Sequence, residues 1–179
     1  MSSAPKYTPH YTVEDYQRWE GDWELWNGIA VSMSLSPYGK HGALLVRAAS
    51  EIERAIESVR CAASTLAEVD WIVSQDTIVR PDLSVVCGAP PERHILTPPA
   101  LVVEILSPST RERDLTVKRQ LYQQQQVAWY LIIDPEASTI EVLNLDESGV
   151  YQSLPKQNEV NIAICDDCKL KVDLARILR

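Results

Sequence analysis

Leu101-Val102-Val103-Glu104-Ile105-Leu106, the break Ser107-Pro108-Ser109-Thr110, helix-forming residues to 125, and then Val127-Ala128-Trp129-Tyr130-Leu131-Ile132-Ile133 form the passage that decides the fold. A short apolar run bounded by turn residues reads as a buried strand. Pro108 ends the first run, and Thr110 is placed to cap a helix over residues 111–125. Strand, helix and strand in that order make a crossover, and such crossovers are parallel and right-handed in nearly all cases.

Antiparallel elements are expected around this unit. Trp23-Glu24-Leu25-Trp26, then Asn27-Gly28, then residues 29–35 carry the type I′ hairpin signature. Alternation places Trp23 and Leu25 on one face, and Glu24 and Trp26 on the other. Residues 41–59 read as an amphipathic helix, with Leu44, Leu45, Ala48, Ile52, Ala55, Ile56 and Val59 buried and Arg47, Glu51, Arg54 and Glu57 wet. Strands are expected around 69–79, at 83–87 and at 139–143, then a meander and a short helix at 173–178. A short helix after Thr12, with Asp15 completing a capping box, is expected to end near Gly21. The fold class is α/β (α+β by another convention), a central mixed sheet flanked by helices. Residues 12–179 form one domain behind a flexible N-terminal arm, residues 1–11.

The chain has 179 residues, 45% hydrophobic and 23% charged, which suits a globular domain with its own core. Its longest apolar run, residues 128–133, is far too short to span a membrane, and no secretory signal is visible. Four cysteines without an export signal read as reduced thiols, hence a cytoplasmic protein. Seventeen basic against 25 acidic residues give a net charge of −8, which excludes coating nucleic acid by bulk electrostatics. A local basic patch with a metal remains compatible with that balance.

Glu104 is the anomalous residue, because an ionised carboxylate between apolar neighbours costs several kcal/mol unless it is paired or bound to a cation. An edge strand or a buried arginine would also account for it. Asp82, in Arg80-Pro81-Asp82, could merely open a strand, but with Glu104 it could share one divalent cation. Asp114, Lys118 and Tyr122 are spaced by four and share a helix face with Val117 and Leu121, the side expected to face the sheet. The alternative is an Asp114–Lys118 surface pair. Glu24 and His41 are either polar residues at element ends or a further ligand and a proton-handling group. Cys165-x-x-Cys168 lacks a nearby second pair for zinc and reads as a turn between strands.

Five ordered stretches together resemble one family: Trp23-Glu24-Leu25-Trp26-Asn27-Gly28; His41 opening a helix; Arg80-Pro81-Asp82-Leu83-Ser84-Val85-Val86; residues 101–110; and Asp114-x-x-x-Lys118-x-x-x-Tyr122 before Ile133-Asp134-Pro135. Over residues 11–175 the chain is similar to the Uma-type restriction endonucleases, abundant in cyanobacteria and part of the PD-(D/E)XK nuclease superfamily. The resemblance implies a restriction-endonuclease-like core and a Mg²⁺-dependent (or Mn²⁺-dependent) phosphodiesterase acting on DNA. Asp82, Glu104 and the Ile105 carbonyl would hold the metal. Leu106 stands where the superfamily usually has lysine, and Lys118 from the following helix would take that role. Glu24 would be an auxiliary acid and His41 a proton shuttle. Gln126 replaces the glycine that usually ends the helix, and Trp129-Tyr130 reverses the usual aromatic order. Arg111, Arg113, Lys118 and Arg119 would form a cationic cluster for the DNA backbone.

The leading expectation is therefore a metal-dependent DNA endonuclease, cytoplasmic, without membrane contact. It is expected as a homodimer, since duplex cleavage needs two sites. A catalytically silent module that binds nucleic acid or protein, and a hydrolase of another phosphate ester, are the alternatives.

Overall fold

The computed structural model describes residues 8–33, 39–166 and 168–179. Among these, the central sheet has six strands in the order β10-β9-β8-β7-β6-β3: β3 Ala63–Ala67, β6 Leu83–Cys87, β7 Leu101–Ile105, β8 Trp129–Asp134, β9 Thr139–Leu145 and β10 Tyr151–Ser153. Only β7 and β8 run parallel, joined by the expected crossover. The sheet is mixed and the architecture α+β, as the sequence predicts. The sequence does not mark β3, since Ala63-Ser64-Thr65-Leu66-Ala67 has little apolar alternation and takes its register from β6.

Strand alternation sends the two sides of β7 into two cores. Leu101, Val103 and Ile105 pack under α2 (Gly39–Ser58) and the hairpin of β11 (Glu159–Ile164) and β12 (Cys168–Asp173). Val102 and Leu106 face Tyr122, Tyr130 and Trp71 on the other side. Glu104 shares that second face. A four-stranded sheet, β2-β1-β5-β4, stands beside it: β1 Trp23–Trp26, β2 Ile29–Ser32, β4 Trp71–Ser74 and β5 Thr77–Val79. Asn27 (φ 47°) and Gly28 (φ 78°) turn β1 into β2, both in the left-handed region that a type I′ turn requires. The expected strand residues 34 and 35 lie outside the described residues.

Several expectations are corrected. Glu51 is buried, because its carboxylate binds Arg54 and accepts the Asp173 N–H at 3.0 Å, joining α2 to the C-terminal helix α5 (Leu174–Ile177). Val59 is exposed, since α2 has ended at Ser58. The capping box at Thr12 and Asp15 is present, but the helix it opens, α1 (Val13–Tyr16), closes well before Gly21. At the end of the presumed arm, Tyr11 donates to the Gly28 carbonyl and His10 pairs with Asp76. Thr110 makes no side-chain cap; its hydroxyl lies 3.0 Å from that of Ser107.

Of the two departures at the crossover, the reversed aromatic order has a packing reason. Gln126 sits at φ 59°, the left-handed position where glycine is favoured after a helix. Trp129 faces the α2 side and donates to the Ala163 carbonyl at 2.8 Å, which pins β11. Tyr130 consequently faces the other core, where its hydroxyl reaches the Asp114 carbonyl at 3.0 Å.

The cysteines are the largest correction. Cys61–Cys168 and Cys87–Cys165 are disulfides, leaving no free cysteine among the described residues. Residues 61 and 87 converge because β3 pairs with β6, placing Ala63 opposite Cys87. The turn between β11 and β12 brings up the other two, so Cys165 and Cys168 are neither thiols nor zinc ligands. The cytoplasmic expectation loses the support it drew from reduced thiols. No helix among the described residues is long and apolar enough to cross a membrane.

Each bridge closes a long loop, spanning 107 and 78 residues, and therefore restricts the unfolded chain strongly. Reduction should lower unfolding stability by about 2–4 kcal/mol per bridge, read from urea titrations with and without a dithiol. Unchanged midpoints, or four reactive thiols before reduction, would show that the bridges contribute nothing in solution.

Candidate active site

The helix after β7 is not regular. Residues Arg111–Arg113 (α3) and Arg119–Gln124 (α4) flank a π turn, Asp114–Lys118. On an α-helix, positions four apart drift by about 40° per step. The wider π turn counters that drift, so Asp114 and Lys118 both point inward above Tyr122. Val117 is turned out to solvent instead, contrary to expectation. The Tyr130 hydroxyl supplies a donor to the Asp114 carbonyl within the irregular turn.

Lys118 Nζ lies 3.0 Å from Glu104 Oε1, 3.1 Å from Glu24 Oε1 and 3.8 Å from Asp114 Oδ1. All four side chains are buried, so the alternative of a surface pair is removed. The alternatives for Glu104 also fall: β7 is central, and the cation is a lysine. Tyr122 donates to Glu104 Oε1 at 2.6 Å. Arg80 ties the cluster to the next strand, its N–H donating to Glu24 at 2.7 Å and its carbonyl accepting from Lys118 at 3.4 Å.

Asp82 stands two residues further along, just before β6, and His41 reaches it from the start of α2. Opposite Ile105 the β6 ladder has ended, and Asp82 Oδ2 accepts the Ile105 N–H at 2.6 Å in place of a ladder partner. The carbonyl and N–H of one strand residue point the same way, so the Ile105 carbonyl also faces this side. His41 Nε2 is 3.4 Å from Asp82 Oδ1. The structure thus gathers Asp82, Glu104, Lys118, Glu24, His41 and Ile105 around the end of β7. Sequence reasoning gave no site role to Asp114, Tyr122 or the Arg80 backbone. The four-residue spacing marks the first two; nothing in the sequence marks the third.

Electrostatics is the dominant physical feature. Burial disfavours the Lys118 ammonium, but Glu104, Glu24 and Asp114 overcome that and hold its pKa well above the ordinary value. Burial drives the Glu104 carboxyl well up, helped by Asp114 and Asp82 and opposed by Lys118 and Tyr122. Burial raises Asp114 as well, and its Oδ1 has no hydrogen-bond partner. One ammonium cannot balance three buried carboxylates, so a proton or a cation must relieve the surplus. The donor chemistry of Asp82, Glu104 and the Ile105 carbonyl, all hard oxygens, fits Mg²⁺ or Mn²⁺. No three His, Cys, Asp or Glu side chains among the described residues form a ready-made metal cage.

The expected cationic cluster is dispersed. Lys118 is inside, Arg111 pairs with Asp134 at 2.8 Å, and Arg113 lies over the Trp26 ring. A cleft of about 620 Å³ opens beside His41 instead, lined by Lys40, Leu106, Ser107, Arg111 and Asp134.

Two measurements check these contacts. Lys118→Met leaves buried carboxylates unpaired and should cost about 3–5 kcal/mol in urea unfolding. Adding Glu24→Gln, Glu104→Gln and Asp114→Asn should restore most of that loss; a loss that persists would contradict charge pairing as its cause. The hydrogen bond to Asp82 raises His41 above its ordinary 6.5, against the opposing effect of burial. The stabilisation from His41 is therefore complete below about pH 6.5 and lost as pH rises through the raised folded value. A stability profile across that range should slope downward, and His41→Gln should flatten it.

A solved structure from Anabaena variabilis, described as a "putative nuclease belonging to DUF820", is similar over 94% of this chain and 97% of that one, with a TM-score of 0.75 and 18% identity. At that identity the likeness shows the fold. No curated protein matches. The Uma2 model, described as "Putative restriction endonuclease", matches residues 13–175. The chain belongs to the Uma2 family.

Proposed function

We propose that this protein is a metal-dependent DNA endonuclease that hydrolyses phosphodiester bonds at the end of β7. The observation that carries this reading is the surplus of negative charge: Glu24, Glu104 and Asp114 buried around one lysine, with Asp82 beside them. Membership of the family and the nuclease description of its structural relative support it.

Asp82, Glu104 and the Ile105 carbonyl would hold Mg²⁺ or Mn²⁺. A bound divalent cation lowers the pKa of a coordinated water and offsets charge on the phosphate. Lys118, kept charged by its neighbours, orients the attacking water and offsets charge in the transition state rather than abstracting a proton. Glu24 positions Lys118 and the Arg80 backbone. His41, at hydrogen-bonding range of Asp82 and on the wall of the cleft, takes or returns a proton there. Lys40 and Arg111 flank the path of a sugar-phosphate backbone through that cleft. A two-fold dimer would supply the second site that duplex cleavage needs.

One observation favours the silent module: Glu104 Oε1 already holds both Lys118 and Tyr122, and no preformed metal cage exists among the described residues. Nicking of supercoiled plasmid decides between the two. The wild-type protein should nick in Mg²⁺ or Mn²⁺, a chelator should stop it, and Asp82→Ala should lower the rate at least 100-fold. Absent nicking together with absent Mg²⁺ and Mn²⁺ binding by calorimetry would establish the silent module.

A further inference from the structure

A second pocket, of about 390 Å³, lies across the Arg80 backbone from the carboxylate cluster. Its walls are Tyr16, Trp19 and Trp23 on one side and Asp70, Arg93 and His94 on the other. The aromatic side is built rather than incidental. Trp19 packs against Tyr16 at 5.6 Å and Trp23 at 5.9 Å between ring centroids, and all three remain partly exposed. The Trp23 indole donates to the Glu20 carbonyl, and the Tyr16 hydroxyl shares its one proton between the Trp23 carbonyl and Asp70, the contacts measuring 2.8–3.0 Å.

The opposite wall is fixed as well. Ile95 N–H donates to the Asp70 carbonyl, and the Ile95 carbonyl accepts from Ile72, both at 2.9 Å, so the segment carrying Arg93 and His94 is bonded to β4. The Arg80 guanidinium, at the floor, is consumed by Asp70 at 2.7 Å and Asp22 at 2.8 Å. Arg93 is exposed and forms no ion pair among the described residues. The pocket therefore combines exposed aromatic surface, a carboxylate with acceptor capacity to spare, and one uncommitted guanidinium.

That combination suits a single unstacked nucleotide. Aromatic side chains stack on any base, a carboxylate accepts from exocyclic amino groups, and a guanidinium takes the phosphate. A volume of about 390 Å³ admits one nucleotide. Resting on the nuclease reading above, we propose that this pocket is a nucleotide subsite: it receives an unpaired nucleotide of the DNA that is cut at the carboxylate cluster. Because Arg80 lines the pocket with its side chain and holds Glu24 and Lys118 with its backbone, an occupied subsite and a positioned cluster are joined through one residue. The substrate class that follows is DNA with an unpaired or frayed position, in preference to a perfect duplex.

The test is fluorescence anisotropy of labelled oligonucleotides with chelator present, so that binding is read without cleavage. Wild type should bind a single strand, or a duplex with one unpaired nucleotide, at least ten-fold more tightly than the perfect duplex. Arg93→Ala and Trp19→Ala should each weaken that binding by about ten-fold or more. Arg93 is exposed, so its variant has no reason to misfold; circular dichroism checks both. Equal affinity for perfect and interrupted duplexes, unchanged affinity in the Arg93 variant, or no DNA binding at all would each overturn the subsite. Tighter binding of a deoxynucleoside monophosphate than of the oligonucleotide would also overturn it, by making a free nucleotide the ligand. Plasmid nicking is scored separately: lost affinity in the variants with no nicking by wild type leaves the subsite and removes the nuclease, whereas nicking with unaltered affinity does the reverse.

Discussion

The Lys118 ammonium is the interaction on which the rest of the site depends. It is buried at the meeting point of three elements, with Glu24 from β1, Glu104 from β7 and Asp114 from its own π turn. Each carboxylate would be expensive to bury alone, and the lysine would be too. Together they are still short of positive charge. That residual imbalance separates this cluster from an ordinary buried ion pair, which would be closed by one cation per carboxylate. It also requires the surrounding protein to hold the groups in place against their mutual repulsion.

The holding is done by aromatic hydroxyls and backbone. Tyr122 fixes one Glu104 oxygen, Tyr130 occupies the Asp114 carbonyl, and Arg80 gives both its N–H and its carbonyl to the cluster. Tyr122 and Tyr130 meet edge to face, with centroids 5.1 Å apart, so the two supports brace each other. On the far side of β7, the α2 helix and the β11–β12 hairpin seal the sheet, and two disulfides fasten that hairpin, one to the end of β6, the strand that follows Asp82, and one to Cys61 just ahead of β3. Asp82 itself finishes the ladder by accepting the Ile105 N–H, so one carboxylate serves both the sheet and the site.

The two cavities divide the surroundings of this cluster. The larger opens where α2 begins and carries His41 and Lys40; the smaller opens beside β1, β4 and the 93–95 segment and carries the aromatic rings. The Arg80-Pro81-Asp82 stretch passes between them. In a chain with a net charge of −8, Lys40, Arg111 and Arg93 place positive charge at these two openings.

Much was legible in the chain alone. The apolar runs around Glu104 and residues 127–133, with helix-forming residues between them, determined a parallel crossover, because a strand–helix–strand unit returns to its sheet in the same direction. Asn27-Gly28 determined its turn through the left-handed angles it requires. The oddity of Glu104 followed from desolvation, and four-residue spacing put Lys118 and Asp114 on one helix face. What only the tertiary structure decided depends on contacts between distant residues. The π turn, the exposure of Val117 and the burial of Glu51 follow from partners on other elements rather than from local periodicity. Cysteines 61, 87, 165 and 168 become two disulfides because strand pairing brings them together across 107 and 78 residues, a closeness that sequence spacing cannot encode. The same holds for the cluster: its residue types are written in the sequence, but their convergence on one lysine is a property of the folded sheet.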